Sequence, residues 1–199
     1  MPLHYLALGD SYTIGEAVPA AGRWPAQLVQ RLRARGVAID DPRIIATTGW
    51  ATDELSAAMD AATFAPPYDL VTLLIGVNNQ YRGRSAGEYR HEFEGLLQRA
   101  IGLAGGHALH VVAVSIPDWG VTRFAREQGR DSAQIAHALD VYNAIARDEA
   151  GRAGARWVDI TPVSRRHPEL LAGDGLHPGA EQYALWTDAI EPVAAAAVK

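Results

Sequence analysis

Apolar residues occur along the chain in five short continuous runs, at residues 3–8, 44–47, 70–75, 109–115 and 156–160. The runs are partly β-branched and do not alternate with polar residues. Continuous apolar runs of this length are typical of strands that are covered on both faces, as in a parallel sheet. The pattern therefore predicts five buried strands.

Segments with helical spacing separate these runs. Trp24, Leu28 and Leu32 recur every four residues, and Pro25 suits the first turn of a helix. Further helices are predicted at 53–62, 85–104, 131–153 and 179–198. Strands that alternate with helices indicate right-handed βαβ units. The sequence therefore predicts an α/β fold, namely a three-layer α/β/α flavodoxin-like sandwich with a five-stranded, mostly parallel sheet.

Composition narrows the class of protein. The chain has 199 residues, 48% of them hydrophobic, and no Pro/Gly/Ser-rich linker divides it, so one domain over residues 1–199 is expected. The net charge of −5 is not clustered in runs, and we therefore expect no nucleic-acid partner. The absence of cysteine excludes disulfides, thiolate metal sites and a cysteine nucleophile.

The lengths of the apolar stretches indicate where in the cell the protein is expected. The longest of them falls far short of a membrane span, so no membrane partner is expected. No basic segment followed by an apolar stretch and a cleavage site precedes the first strand. A cytoplasmic protein is expected, although removal of a secretory signal would leave the same sequence.

The segment Gly9-Asp10-Ser11-Tyr12 follows the first predicted strand. The carboxyl ends of parallel strands form the edge of the sheet where ligands bind. A serine hydroxyl at this edge is a candidate nucleophile, provided that a base activates it. The alternative is a simple turn from strand to helix, in which Asp10 or Ser11 caps the helix.

Two further segments follow the second and third strands. Thr48-Gly49-Trp50 offers a glycine whose N–H can approach a substrate oxygen closely, and Asn78 offers a neutral amide donor. Such donors suit an oxyanion hole, where their hydrogen bonds strengthen as negative charge develops. Each segment also has a simpler interpretation, since glycine and asparagine are common turn residues.

The fourth segment, from Asp174 to His177, precedes the last predicted helix. An Asp and a His three residues apart in a turn can meet side chain to side chain. Asp174 would then accept from Nδ1 of His177 and leave Nε2 to take the proton of Ser11. Together the four segments supply a nucleophile, a base with its orienting carboxylate, and two oxyanion donors at one edge of the sheet.

In this order, the four segments resemble the sequence blocks of the GDSL/SGNH hydrolases, a family of serine esterases and lipases. The resemblance spans residues 9–177. It implies that Ser11, Asp174 and His177 form a catalytic triad that works through a covalent acyl-enzyme. It also implies that the N–H groups of Ser11 and Gly49 and the side chain of Asn78 form the oxyanion hole.

Two residues depart from the family pattern. Tyr12 stands where leucine is usual in the first block. Asn79 stands where an aspartate commonly follows the oxyanion asparagine, which puts in doubt any support that a carboxylate would give this loop. The chain also lacks the Gly-x-Ser-x-Gly elbow of the α/β-hydrolases.

The resemblance implies hydrolysis of a small-molecule carboxylic ester, without a metal or an organic cofactor. No long apolar lid is evident, which favours short acyl chains. Tyr12, Trp50, Tyr81 and Trp119 are candidates for the substrate-binding wall, although each also suits ordinary loop packing. Two segments, 80–87 and 117–130, are predicted to be long loops at this edge. The second loop carries Arg123, Arg126 and Arg130. We expect these side chains to face solvent rather than to bind an anionic leaving group.

Several other functions compete with a general esterase. A carbohydrate O-acetyl esterase, a lysophospholipase and a thioesterase would share the same site. Asp10 as a phosphoryl-accepting carboxylate is disfavoured, because Tyr12 replaces the second aspartate that this chemistry requires. A metal site would lack tight ligand spacing, and its candidates are His177, Asp174, His4 and His167. A non-catalytic binding domain is the remaining alternative. The sequence does not indicate an oligomeric state.

Overall fold

Five parallel strands form one sheet in the structure, a computed structural model that describes residues 1–199. The strands run in the order β2-β1-β3-β4-β5. Leu8 of β1 pairs with Ile45 on one side and Leu73 on the other. The strands are β1 (Tyr5–Gly9), β2 (Arg43–Ala46), β3 (Leu70–Leu74), β4 (Val111–Val114) and β5 (Arg156–Val158). All five correspond to predicted runs, and the predicted α/β flavodoxin-like sheet is confirmed.

Nine helices connect and cover the strands. Helices α2 and α9 pack together on one face, whereas α3, α5 and α7 pack on the other. None of them is long and apolar enough to cross a membrane. The helices are α1 (Ser11–Ile14), α2 (Trp24–Ala34), α3 (Thr52–Ala61), α4 (Val77–Tyr81), α5 (Ala86–Leu103), α6 (Arg123–Glu127), α7 (Ser132–Ala153), α8 (Thr161–Arg166) and α9 (Ala180–Ala197).

The hydrophobic core follows from this layering. Every residue of β1 and β3 is buried, because helices cover the sheet on both faces. Trp24 of α2 and Trp186 of α9 are fully buried in one helical layer, and Tyr89 and Phe93 of α5 are buried in the other. Full burial of a large apolar side chain contributes about 1.5–3 kcal/mol, so these side chains stabilise the packing of both helical layers on the sheet.

The two predicted long loops are partly helical, and two of their helices, α4 and α6, were not predicted. Residues 80–87 hold the end of α4 and the start of α5, and residues 117–130 hold α6. Thr122 caps α6, because its hydroxyl accepts a hydrogen bond from Ala125 N–H at 3.2 Å. A helix of about one turn is too short to show a 3.6-residue period, which is why the apolar pattern does not reveal it.

The chain reverses direction across the sheet at β1, which lies between β2 and β3. This is the topological switch point, where open α/β sheets bind ligands. The segments that follow β1, β2 and β3 carry Ser11, Gly49 and Asn78 respectively. The order of the strands therefore brings three candidate residues to neighbouring strand ends.

Candidate active site

Ser11 is the first residue of α1, directly after the turn that ends β1. A side chain at Gly9 has no room, because its Cβ would lie 2.5 Å from the carbonyl oxygen of Leu74. Asp10 caps the helix, since its Oδ1 accepts from Tyr12 N–H at 3.0 Å. The capping role belongs to Asp10, so the hydroxyl of Ser11 is left for other chemistry.

Asp10 is fully buried beneath Ser11, and its second oxygen, Oδ2, has no hydrogen-bond partner in the protein. Burial raises the pKa of this carboxyl group to about 7, although the N–H of Tyr12 partly opposes the rise. Asp10 does not line the cavity described below. The structure therefore gives no support to Asp10 as a phosphoryl acceptor and places it as a buried helix cap.

Asp174 both builds the turn before α9 and holds the ring of His177. Its Oδ1 accepts from the N–H groups of Leu176 at 2.9 Å and His177 at 3.0 Å. Its Oδ2 lies 2.7 Å from Nδ1 of His177. Partial burial raises the pKa of Asp174, but the hydrogen bonds from Leu176 and His177 outweigh burial and keep this pKa below its usual value. The carboxylate is thus charged and can support an imidazolium.

Nε2 of His177 has no protein hydrogen-bond partner, and the ring is largely buried. Tyr12 packs edge-on against this ring with 5.8 Å between the centroids, and Trp186 in turn packs against Tyr12. The imidazole is therefore oriented from two sides, by a carboxylate at Nδ1 and by an aromatic ring.

The candidate oxyanion donors lie on the same side of the sheet. Ser11 N–H is at the first position of α1, where a helix offers no intrahelical acceptor. Gly49 has φ of 88°, a conformation that favours glycine. Nδ2 of Asn78 donates to the carbonyl oxygen of Trp50 at 2.9 Å. That bond uses one of the two amide hydrogens and leaves the second free to donate.

Asn79 shows what replaces the usual aspartate of the family. Its side chain is fully buried, and its Oδ1 accepts from Thr52 N–H at 3.1 Å. Its Nδ2 donates to the hydroxyl of Thr52 and, at 3.3 Å, to Oε2 of Glu92. A carboxylate cannot donate to Glu92, whereas an amide can. The amide of Asn79 therefore supports this loop through Thr52 and Glu92.

A cavity of about 250 Å³ joins these groups. It contains Ser11, Gly49, Asn78 and His177, and Asp174 stands behind His177. The other residues that line it are mostly apolar: Tyr12, Thr48, Val77, Tyr81, Trp119, Phe124 and Leu176.

Three of the four aromatic wall candidates line this cavity, and Trp50 is not among its lining residues. The side chain of Trp50 packs against the hydrophobic core and does not reach the cavity, where only its backbone carbonyl serves Asn78. Phe124 and Leu176 were missed. Phe124 lies in α6, a helix that was not predicted. Its N–H donates to the carbonyl oxygen of Gly175 at 2.9 Å, in the turn that leads to His177.

None of the three loop arginines lines the cavity. Arg123 donates to the carbonyl of Gly173 at 3.1 Å, and Arg126 donates to the carbonyl of Val121 at 3.1 Å. The guanidinium of Arg130 stacks on the outer aromatic residues of the wall. These positions agree with the interpretation that the arginines support and solvate this segment.

No group of three or more His, Cys, Asp or Glu side chains is arranged to hold a metal ion. His4 pairs instead with Asp40 on the protein surface, 3.9 Å away, and His167 lies 3.6 Å from Glu169. The histidines considered as metal ligands thus occur apart from one another.

Known structures share this architecture at low sequence identity. An acetylxylan esterase from Geobacillus stearothermophilus is 18% identical with a TM-score of 0.73, covering 98% of this chain and 96% of that one. A psychrotrophic esterase from Pseudoalteromonas sp. is 14% identical with a TM-score of 0.73, covering 96% and 95%. A lipase/acylhydrolase from Enterococcus faecalis is 21% identical with a TM-score of 0.69, covering 96% and 94%.

No curated protein sequence matches the chain. The sequence model of the GDSL-like lipase/acylhydrolase family matches residues 7–185, a range that includes every candidate catalytic residue. The match agrees with the fold, with the resemblance found in the sequence, and with serine hydrolysis of ester bonds. The chain therefore belongs to the GDSL-like lipase/acylhydrolase family.

Proposed function

We propose that the protein is a serine esterase that hydrolyses carboxylic esters with short acyl groups through a triad of Ser11, His177 and Asp174. One observation carries the proposal. Ser11 and His177 line the same cavity, and the carboxylate of Asp174 lies 2.7 Å from Nδ1 of His177. Nε2, the other ring nitrogen, is left to act as the base.

The reaction is acyl transfer to water through a covalent intermediate. Oγ of Ser11 attacks the ester carbonyl while Nε2 of His177 takes its proton. The tetrahedral oxyanion accepts hydrogen bonds from Ser11 N–H, Gly49 N–H and the free amide hydrogen of Asn78. His177 then protonates the leaving alkoxide, and a water molecule activated by the same base releases the acid from Ser11.

Asp174 stabilises the positive charge that His177 acquires in these steps. The carboxylate accepts from Nδ1 and stabilises the imidazolium that forms during each proton transfer. Ser11 and His177 share no direct hydrogen bond in the structure; such catalytic bonds often tighten only when substrate binds. No step uses a metal ion or an organic cofactor.

The size of the cavity supports a short acyl group. Its volume of about 250 Å³ lies below the range of about 300–1,000 Å³ that is common for pockets of drug-sized ligands. Trp119, Phe124 and Leu176 give it an apolar wall beside the catalytic residues. An acetyl to butyryl group suits this space better than a long fatty acyl chain.

A carbohydrate O-acetyl esterase is the second candidate. Tyr81 is half exposed at the cavity and packs on Trp119, with 5.4 Å between the ring centroids. Aromatic faces of this kind suit stacking against a sugar ring, and an acetyl group fits the cavity. The similar structure of an acetylxylan esterase supports the same candidate.

Labelling with a fluorophosphonate probe tests the nucleophile and its activation together. The wild type should be labelled at Ser11, and Ser11→Ala should abolish labelling and lower kcat for p-nitrophenyl acetate by about 10⁶. Asn78→Ala should lower kcat by about 10²–10³. The matched control is Ser132→Ala, which removes an exposed hydroxyl at the first position of α7.

Three results would contradict the proposal: an unlabelled wild type, wild-type hydrolysis by Ser11→Ala, or loss of activity on treatment with EDTA. The two substrate classes separate when rates on acetylated oligosaccharides and on p-nitrophenyl butyrate are compared. A clear preference for the oligosaccharide would favour the carbohydrate esterase.

A further inference from the structure

We infer that Arg82 is a positioning residue: it holds the carbonyl oxygen of Gly49, which restrains the backbone next to the Gly49 N–H of the oxyanion hole, and so acts on kcat. The inference rests on the proposed function. Arg82 does not line the cavity and therefore touches no reacting atom. Its guanidinium instead reaches the carbonyl oxygen of Gly49, with Nη2 at 2.6 Å.

The backbone of Gly49 itself is not held by packing. A Cβ built on Gly49 would meet no atom within 4 Å, so there is open space on that side of its backbone. Thr48, which precedes it, is exposed. Glycine also has the widest backbone freedom of any residue. The direction of the Gly49 N–H therefore depends on polar contacts of its neighbours. On the N-terminal side, the hydroxyl of Thr48 donates to Glu16.

On the C-terminal side of the Gly49 N–H, side chains of α4 and of the residue after it make the contacts. Arg82, which follows α4 directly, bonds Gly49 O, and Asn78 bonds Trp50 O at 2.9 Å. Thr52, the first residue of α3, donates its N–H to Oδ1 of Asn79 at 3.1 Å. The segment with the amide donor thus restrains the segment with the glycine donor at three points.

Arg82 is itself held in place by Glu54. Its Nη1 lies 3.0 Å from Oε2 of Glu54, and the same oxygen accepts from Ala51 N–H at 2.7 Å. The planar guanidinium can serve a carboxylate and a carbonyl at once, which a lysine ammonium on a flexible stem does less well. Both side chains are partly exposed, so the ion pair adds little stability, and its effect is on geometry.

A misdirected N–H at Gly49 weakens a bond that reaches full strength only in the transition state. Loss of one oxyanion donor costs about 10²–10³ in kcat. Loss of its restraint costs less, because Gly49 still visits the productive conformation. We expect Arg82→Gln to lower kcat for p-nitrophenyl acetate by about 10- to 100-fold, with KM and Tm close to those of the wild type.

Three further variants sharpen the test. Arg82→Lys should recover part of kcat. Glu54→Gln, which still accepts from Ala51 N–H, should give a smaller loss, and adding it to Arg82→Gln should cause no further loss, since both act through one contact. Arg156→Gln is the matched control, because Arg156 bonds backbone carbonyls of Leu109 and Ala196 far from the site; it should keep the wild-type kcat.

The positioning role is overturned if Arg82→Gln keeps the wild-type kcat, if the loss appears only in KM, or if Arg156→Gln loses as much. An active wild type labelled at Ser11 together with an unaffected Arg82→Gln would overturn this inference alone. A wild type that neither hydrolyses esters nor reacts with the fluorophosphonate would overturn the proposed function as well.

Discussion

Replacing Asp10 by asparagine should stabilise the protein, and the gain should be larger at alkaline than at acidic pH. The carboxyl group is fully buried, and only one of its oxygens has a hydrogen-bond partner. Burial raises its pKa from 3.8 to about 7. Asparagine is as good a helix cap as aspartate, so the bond from Tyr12 N–H is kept.

The sign follows from proton binding. The folded state holds the proton of Asp10 up to a pH of about 7, whereas the unfolded state loses it near 3.8. The free energy of unfolding therefore falls as pH rises between these two values. A rise of about 3 units at 1.36 kcal/mol each sets an upper limit of about 4 kcal/mol for the loss. Asp10→Asn removes this loss because its amide does not ionise.

Urea unfolding at about pH 5 and about pH 8 measures the effect as a difference between variant and wild type. The stability gained by Asp10→Asn should be larger at the higher pH. The control is Asp131→Asn, which makes the same change at an exposed cap, where Asp131 accepts from Ala133 and Gln134 N–H. An equal effect of Asp10→Asn at both pH values would refute the argument from burial.

Three other substitutions test the remainder of the site. Asn79→Asp should lower the free energy of unfolding by about 1–3 kcal/mol in urea titrations, because a buried carboxylate would face Glu92 without donating to it. Asp174→Asn should lower kcat by up to about 10⁴ while KM changes little; an unchanged kcat would exclude Asp174 from the triad. Phe124→Ala should shift the preference among p-nitrophenyl esters towards longer acyl chains, and an unchanged ratio of kcat/KM for acetate and octanoate would show that this side chain does not limit acyl length.

The sequence alone predicts the sheet because buried parallel strands need continuous apolar runs. Each of β1 to β5 falls within or beside such a run, and the five long helices follow from the spacing of their apolar residues. The pair of Asp174 and His177 was also predictable, since a turn of three residues brings the two side chains together without help from distant parts of the chain.

The structure supplies the strand order, which is not predicted from the sequence. Ser11, Gly49 and Asn78 each come directly after a strand, and parallel strands end at one edge. Their meeting in one cavity therefore needed only the correct order of β2, β1 and β3.

Only the tertiary structure shows which side chains line the cavity and which ones hold the catalytic segments in place. Trp50 and Phe124 both lie in segments near the sheet edge, yet only Phe124 faces the cavity, because α6 is held by contacts to the turn of His177. The pairing of Asn79 with Glu92 and that of Arg82 with Gly49 likewise join residues from different elements. Side-chain direction at such positions is set by contacts between distant segments, and no local pattern of apolar and polar residues records those contacts.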